Sequence, residues 1–193
     1  MTFTSTFHPV IELPPDYEVY DFSEGYDPER VRKSPYGIGR YNEKRPGMYT
    51  TDLFGGVRDV HMGIDIGAPA GTAVHAFSEG EIVLFGDNAA PGDYGPTIVT
   101  AHVIEGVELY ALHGHLCARS LTNKVVGQKI TRGEIFCWVG EKNENGGWNP
   151  HLHFQLSYRR PDRPDMPGVV SEADRAEALQ LYPDPRLVLG PLY

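Results

Sequence analysis

Short apolar or alternating runs, each closed by a glycine- or proline-containing turn, fill the middle of this chain and constrain its fold most strongly. Runs of this kind at close spacing predict an all-β, largely antiparallel domain. A parallel α/β sheet is disfavoured because no long amphipathic pattern separates the runs. The predicted strands are Val60–Ile66, Thr72–Ala76, Gly80–Phe85, Thr97–His102, Val107–His115, Lys129–Ile130, Ile135–Val139 and His151–Tyr158.

The segments on either side of residues 57–158 differ from this β region. Residues 1–56 combine prolines, charges and aromatic residues with weak periodicity, which predicts an extended N-terminal arm packed on the core. One helical turn is predicted around Pro28 to Lys33, with proline at an early helical position. Residues 159–193 predict a charged, proline-rich loop followed by one short helix.

The expected C-terminal helix has a recognisable start and end. Ser171 is a plausible N-cap, and Asp174 occupies the position where a capping box usually has Glu or Gln. Pro183 and Pro185 are expected to end the helix near Leu181 or Tyr182.

Charge and composition exclude several classes of protein. The 193 residues carry 17 Lys and Arg against 26 Asp and Glu, a formal net charge of -9. This balance argues against nucleic acid or an anionic membrane surface as a partner, and favours neutral or cationic peptides unless local groove charge reverses it. No run approaches the roughly 20 apolar residues of a membrane span.

The N-terminal sequence and the two cysteines bear on location. The first residues lack a basic segment followed by an apolar one, so a cytoplasmic protein is expected; a trimmed sequence would instead fit a periplasmic or secreted one. Without an export signal, Cys117 and Cys137 are expected to be reduced thiols rather than a structural disulfide.

Two pairs of polar residues have the spacing of a metal site. Residues two or four apart in a strand project from one face, so His151 and His153 are expected to share a face, as are His61 and Asp65. If the two strands are neighbours, imidazoles and a carboxylate converge. Three protein ligands with an open fourth position are typical of catalytic zinc. The pair His113 and His115 lies between them in sequence and could supply acid/base groups.

Four segments carry a family resemblance over roughly residues 57–158: HMGIDIGAPAGTAVHAFSEGEI, DYGPTIV, ELYALHGHL and NPHLHFQL. In this order they resemble the lysostaphin/LytM-type zinc metallopeptidases, which have an antiparallel, barrel-like β fold. The resemblance implies one zinc ion per chain, with His61, Asp65 and His153 as metal ligands and His115 and His151 as catalytic histidines. It also implies hydrolysis of peptide bonds in or next to bacterial cell-wall crosslinks, and hence a peptide or muropeptide-like substrate. A cytoplasmic location would instead favour a peptide, muropeptide or small amide over the intact wall.

General chemistry is consistent with these roles. Zinc lowers the pKa of water from about 15.7 to about 7 and polarises a peptide carbonyl. A donor to the developing oxyanion is worth roughly 2.7–4 kcal/mol, and imidazole titrates near neutrality. We assign His115 and His151 jointly to water activation and transition-state stabilisation, without dividing the tasks between them.

Several residues have alternative interpretations. His113 stands where the family usually has tyrosine; sharing a strand face with His115, it is expected to line the site without binding metal. Trp148 fits either substrate contact or packing, and Cys117 is expected to be a small buried residue. The arm segment containing Asn42 and Glu43 could shape the groove, plug the metal or merely pack on the domain. Ordinary surface or hydrogen-bonded roles are expected for His8, His75 and His102.

Two other functions fit the same type of scaffold. A phosphohistidine carrier of the glucose-permease type also uses two close histidines, but Asp65 in the HxxxD motif favours a metal site. A non-catalytic binding module would be expected to lack metal ligands, whereas this chain keeps all of them. Hydrolysis therefore leads among the three hypotheses.

Overall fold

The computed structural model describes residues 2–27 and 32–193. Residues 28–31 of the helical turn predicted from Pro28 to Lys33 fall outside these residues. Along the described chain the strands are β1 (Glu18–Val19), β2 (Gly37–Gly39), β3 (Arg58–His61), β4 (Ile64–Gly67), β5 (Ala73–His75), β6 (Gly80–Asn88), β7 (Gly95–Ile104), β8 (Val107–Gly114), β9 (Lys129–Ile130), β10 (Ile135–Trp138), β11 (His151–Ser157) and β12 (Val169–Ser171). Two short helices follow, α1 (Arg175–Leu181) and α2 (Arg186–Leu189).

One large sheet organises the molecule. Its eight strands lie in the order β1-β2-β4-β11-β8-β7-β6-β9. Every pairing in it is antiparallel except that of β1 with β2. Two further pairs, β5 with β10 and β3 with β12, are also antiparallel. The prediction of an all-β, mainly antiparallel fold is confirmed.

The predicted continuous strand Val60–Ile66 is wrong. The chain forms β3, which ends at His61, and then β4, which begins at Ile64. β3 pairs with β12, whereas β4 pairs with β2 and β11 in the large sheet. Met62 lies between the two strands, and its N–H donates to the carbonyl of Gly168 (2.8 Å). His61 and Asp65 therefore belong to different sheets.

The main hydrophobic core draws on both termini as well as the large sheet. Phe154 of β11 and Ile64 of β4 are fully buried, and Val10 and Val188 join the same cluster from the two ends of the chain. Complete burial of such a side chain contributes about 1.5–3 kcal/mol. The arm therefore contributes to the core, and its strands β1 and β2 extend the large sheet. The division into residues 1–56, 57–158 and 159–193 stays a prediction.

The C-terminal helix starts later than expected. Ser171 is the last residue of β12, and α1 begins at Arg175. The expected pair still forms, as a turn before the helix: the Ser171 hydroxyl accepts from the Asp174 N–H (3.2 Å) and donates to its carboxylate (2.6 Å). α1 ends at Leu181, as predicted, and the single-turn helix α2 was not predicted. No helix of residues 2–27 and 32–193 has the length and hydrophobicity of a membrane-spanning segment.

His102 is a hydrogen-bonded core residue whose protonation opposes folding. Its Nδ1–H donates to the carbonyl of Glu79 (2.9 Å) and its Nε2 accepts from the Thr100 hydroxyl (2.8 Å), with its ring 4.1 Å from that of Phe77. Burial lowers the pKa of His102 to about 4. The stability that this residue contributes is therefore complete above the unfolded-state pKa of about 6.5 and is lost as the pH falls toward 4.

We expect His102→Gln to reduce the acid sensitivity of folding. Between pH 7.5 and 4.5, the loss in free energy of unfolding should be smaller in the variant by roughly 2 kcal/mol. Urea unfolding of both proteins at the two pH values measures this difference. An identical loss in the two proteins would show that His102 is not kept neutral by the fold.

Candidate metal centre and active site

The strand register brings three predicted metal ligands together. His153 of β11 lies directly opposite Asp65 of β4, and His61 reaches the same point from the end of β3. The distances His61 Nε2 to His153 Nδ1, His61 Nε2 to Asp65 Oδ1 and His153 Nδ1 to Asp65 Oδ1 are each 3.1 Å. The three side chains form the His/Asp cluster that could hold a metal ion.

The triangle of donor atoms suits zinc. Zinc binds imidazole nitrogen and carboxylate oxygen at about 2.0–2.2 Å, so neighbouring ligand atoms around a tetrahedral ion lie roughly 3.3–3.5 Å apart. The 3.1 Å sides of this triangle need to widen only slightly. All three residues also line a cleft of about 760 Å³, which leaves access for a further ligand.

Hydrogen bonds select the nitrogen that each histidine presents. The Nδ1–H of His61 donates to the carbonyl of Arg40 (2.8 Å), which leaves Nε2 free to bind. The Nε2–H of His153 donates to the side-chain oxygen of Gln155 (3.0 Å), which leaves Nδ1 free. Partners of this kind fix the tautomer and orientation of metal-binding imidazoles.

Two members of the cluster, Asp65 and His61, are in the protonation state that metal binding requires. Burial alone would raise the pKa of Asp65, but neighbouring His61 and Arg45 hold it well below its usual range. Burial, followed by the charge of Arg45, lowers the pKa of His61 to about 4. At neutral pH the carboxylate is therefore ionised and His61 is neutral, as ligation requires.

The two predicted catalytic histidines lie side by side in the same cleft. The ring centroids of His115 and His151 are 4.3 Å apart, and both residues line the cleft. Their Nδ1–H groups donate to the carbonyls of Asn145 (2.8 Å) and Asn149 (2.7 Å), so Nε2 remains available on each ring. His151 Nε2 is 3.8 Å from Asp65 Oδ1. Burial lowers the pKa of both histidines.

The expectation that His113 lines the site is wrong. β8 ends at Gly114, and His115 has the left-handed φ of 61°, so the alternation of faces does not continue from 113 to 115. His113 is buried against Phe136 and Phe154, with ring centroids 4.9 and 5.2 Å away. Its Nδ1 donates to the carbonyl of Ile98 (3.3 Å), which places it in the core rather than in the cleft.

Of the three interpretations of the arm segment, a plug on the metal formed by Asn42 or Glu43 is wrong. The side-chain oxygen of Asn42 accepts from Arg175 Nε (2.8 Å), and the carboxylate of Glu43 accepts from Arg45 Nε (2.9 Å). Neither side chain belongs to the His/Asp cluster. Cys117 is a buried free thiol, 3.2 Å from the Ser120 hydroxyl, as its small-residue interpretation predicts.

Aromatic residues complete the cleft. Sequence reasoning assigned no role to Tyr94, although it lies in one of the family-like segments; its hydroxyl is 3.4 Å from His153 Nε2 and donates to the carbonyl of Met166 (3.0 Å). Trp148 is half-buried, and its Nε1–H donates to the carbonyl of Gly92 (3.1 Å). It lines the cleft, 6.1 Å from the ring of Tyr49, so it both packs and faces the space where a ligand would lie.

A glycine is required at position 63 because the imidazole of His153, a candidate metal ligand, lies against its backbone. A Cβ at this position would lie 2.6 Å from both Cε1 and Nε2 of His153 and 2.9 Å from the carbonyl oxygen of Phe154. We therefore expect Gly63→Ala to displace His153, to destabilise the protein by about 1–3 kcal/mol and to weaken zinc binding at least about tenfold, as loss of ligand orientation does. Chelator competition measures the affinity.

Gly86→Ala is the matched control for Gly63→Ala. Its Cβ would meet Pro164 Cγ at 2.9 Å, a milder clash on β6 with no ligand residue among the neighbours. This variant should lose stability but keep the zinc affinity of the wild type. Equal affinity in all three proteins would contradict the role assigned to Gly63.

The fold and the candidate site together indicate the class of metal site that the protein carries. Two imidazoles and one carboxylate, beside an open cleft in an antiparallel β scaffold, form the three-ligand arrangement of catalytic rather than structural zinc sites.

Comparison with known proteins identifies the family. Residues 59–164 match the model of peptidase family M23, and this segment covers more than half of the chain. The chain therefore belongs to peptidase family M23, whose metallopeptidases are zinc-dependent hydrolases.

Relatives and solved structures resemble parts of the chain. A protein of Neisseria meningitidis serogroup B named "DD-carboxypeptidase/endopeptidase Mpg" is 35% identical over 96 residues, which are 50% of this chain and 20% of that protein. The cell division protein DipM of Caulobacter vibrioides is 37% identical over 97 residues, 50% of this chain and 14% of DipM. The match thus spans a fifth or less of these relatives. The catalytic domain of the prophage-encoded EnpA of Enterococcus faecalis aligns with a TM-score of 0.49 and 26% identity, covering 72% of this chain and 89% of that domain.

Proposed function

We propose that the protein is a zinc-dependent peptidase that hydrolyses amide bonds in peptidoglycan-type peptides. The observation that carries this proposal is the triangle of three donor atoms, 3.1 Å apart, beside a cleft that also holds the paired histidines His115 and His151. His61, Asp65 and His153 would hold the ion. When bound, zinc supplies Lewis acidity that polarises a carbonyl and acidifies water.

The two histidines beside the cluster would carry out the proton transfers of the reaction. The Nδ1–H of His115 and that of His151 each donate to a backbone carbonyl. The Nε2 atom of each ring is therefore available to accept or release a proton. A neutral imidazole can take a proton from the attacking water, and an imidazolium can protonate the leaving amine or donate to the developing oxyanion. The 4.3 Å separation of the two rings allows both to reach one substrate carbonyl.

Charge within the cleft favours substrates that carry carboxylates. Among residues 2–27 and 32–193, four aspartates and six arginines line the cleft, in a chain whose net charge is -9. Within the described residues, Arg58, Arg159 and Arg160 take part in no ion pair. Arginines that line the cleft of an acidic protein concentrate anionic ligands there. This reverses the preference for cationic peptides that the net charge alone predicts.

A wall-derived substrate bears on location. Peptidoglycan lies outside the cytoplasmic membrane, so the proposed function implies an extracytoplasmic site of action. The sequence analysis favoured a cytoplasmic protein and gave a periplasmic or secreted one as the alternative; the proposed function fits the alternative. Fractionation of cells producing the natural gene product would decide between the two.

Purified bacterial sacculi test both the activity and the charge preference. The zinc-loaded protein should release new amino groups from sacculi, and His153→Ala should release none. Sacculi whose carboxyl groups have been converted to amides should be cleaved more slowly by roughly tenfold or more, since a hydrogen bond to a charged group is worth about 1.5–3 kcal/mol. Equal cleavage would reject the carboxylate preference alone; no cleavage of either would reject the proposed substrate.

The alternative functions receive less support. A phosphohistidine carrier would also use two close histidines, but the family match does not favour it. A non-catalytic module would not need the three donor atoms and the two flanking histidines that this chain retains.

A further inference from the structure

A buried arginine from the N-terminal arm touches the candidate metal centre. Arg45 is only 1% exposed and precedes the family-matched segment 59–164. Its Nη1 donates to Asp65 Oδ2 (2.6 Å) and to the Tyr49 hydroxyl (3.0 Å). Its Nε donates to the carboxylate of Glu43 (2.9 Å), and its Nη2 to the carbonyl of Arg40 (3.1 Å). The guanidinium is thus held on all three nitrogens.

The same arginine is linked to a second metal ligand through the Arg40 carbonyl. That oxygen accepts from Arg45 Nη2 and also from His61 Nδ1 (2.8 Å). One guanidinium therefore holds the outer oxygen of Asp65 and steadies the acceptor that orients His61. The side chain of Arg40 takes no part in this, because it pairs with the exposed carboxylate of Asp21.

Backbone contacts fix the arm at this place. The N–H of Asn42 donates to the carbonyl of His61 (2.8 Å), and the N–H of His61 donates back to that of Glu43 (2.9 Å). In β2, Gly39 lies opposite Asp65; a Cβ there would be 2.8 Å from Arg45 Nη2 and 3.0 Å from Asp65 Oδ2. The arm therefore packs closely against the strands that carry the ligands, with no space for a side chain at Gly39.

We propose that Arg45 is a positioning residue for the metal centre and that residues 39–45 are a constituent of this centre rather than an inhibitor of it. The proposal rests on the zinc site proposed above. A planar guanidinium with several donors in fixed directions can hold Asp65, Glu43 and the Arg40 carbonyl together. A lysine in its place offers a point charge on a flexible stem and cannot reproduce all of these contacts.

Zinc affinity, measured by competition with a chromophoric chelator, tests the proposal without relying on activity. Arg45→Lys should bind zinc about 10–100-fold more weakly than the wild type, the usual cost of losing an outer partner of a metal ligand. Arg186→Lys is the matched control, because it makes the same change at an arginine of α2 that pairs with Asp184 and does not line the cleft; its affinity should stay within about twofold, since exposed ion pairs contribute little.

A second variant covers the case in which Arg45→Lys folds poorly. Glu43→Gln combined with Arg45→Met removes both buried charges of the pair, and it too should bind zinc more weakly. The rise in unfolding temperature on adding zinc is measured for each variant, so a destabilised protein still reports its zinc binding. Wild-type affinity in either variant would overturn the role of Arg45. A wild type that binds no zinc would instead overturn the proposed function.

Discussion

His153→Ala and Asp65→Ala should each reduce bound zinc from about one ion per chain to none, because a three-ligand site that loses a ligand no longer satisfies the tetrahedral preference of the ion. These substitutions remove the donors of β11 and β4 that face each other across the sheet, 3.1 Å apart. Hydrolysis should disappear with the metal, by at least about three orders of magnitude. Elemental analysis of the purified proteins, beside the wild type, makes the measurement.

Gln155→Glu provides a control for these ligand substitutions. Gln155 Oε1 accepts from His153 Nε2 (3.0 Å), and a glutamate oxygen can accept the same hydrogen bond. We expect this variant to retain zinc. A metal-free wild type that cannot be reloaded with zinc, or full zinc occupancy in His153→Ala, would contradict the assignment of the site. The motif would then act only as a scaffold, and the carrier or binding functions would lead.

His115→Ala and His151→Ala should separate catalysis from metal binding. Each removes an imidazole that flanks the cluster without belonging to it. Loss of a general acid/base or of a donor to the oxyanion costs about 10²–10⁴-fold in rate. We expect kcat to fall within this range while zinc stays near one ion per chain, as measured by sacculus hydrolysis and elemental analysis on the same preparations.

The double variant His115→Ala/His151→Ala tests whether the two histidines act as a unit. Groups that act together show strongly non-additive losses, so the double variant should be little slower than the more damaged single variant. A product of the two single losses would indicate independent roles. Loss of zinc in either single variant would show instead that the histidine is a ligand, contrary to our assignment.

Much of the candidate site follows from local sequence. The HxxxD and HxH spacings predict which residue types can meet at a metal, and alternation along a strand correctly places His151 and His153 on one side of β11. Turn signals and short apolar runs predict the antiparallel sheet, because strand patterns depend mainly on a residue's immediate neighbours.

Local patterns fail where the backbone departs from regular geometry. The break between β3 and β4 at Met62 and Gly63 moves His61 out of the large sheet, so His61 meets Asp65 through a change of direction and not through alternation. The left-handed φ of 61° at His115 similarly separates it from His113. The turn at His115 has no reliable signature in the residues themselves, since positive φ is uncommon in non-glycine residues.

The amino-acid sequence by itself determined the fold class, the identity of the candidate ligands and the family resemblance, because these depend on residue type and short-range spacing. Only the tertiary structure decided how the site is supported: the carbonyl of Arg40 on His61, the guanidinium of Arg45 on Asp65 and the side chain of Gln155 on His153. It also revealed the arginines that line the cleft of an acidic protein. The physical reason is that hydrogen bonds and charges act over a few ångströms in space, whatever their separation along the chain.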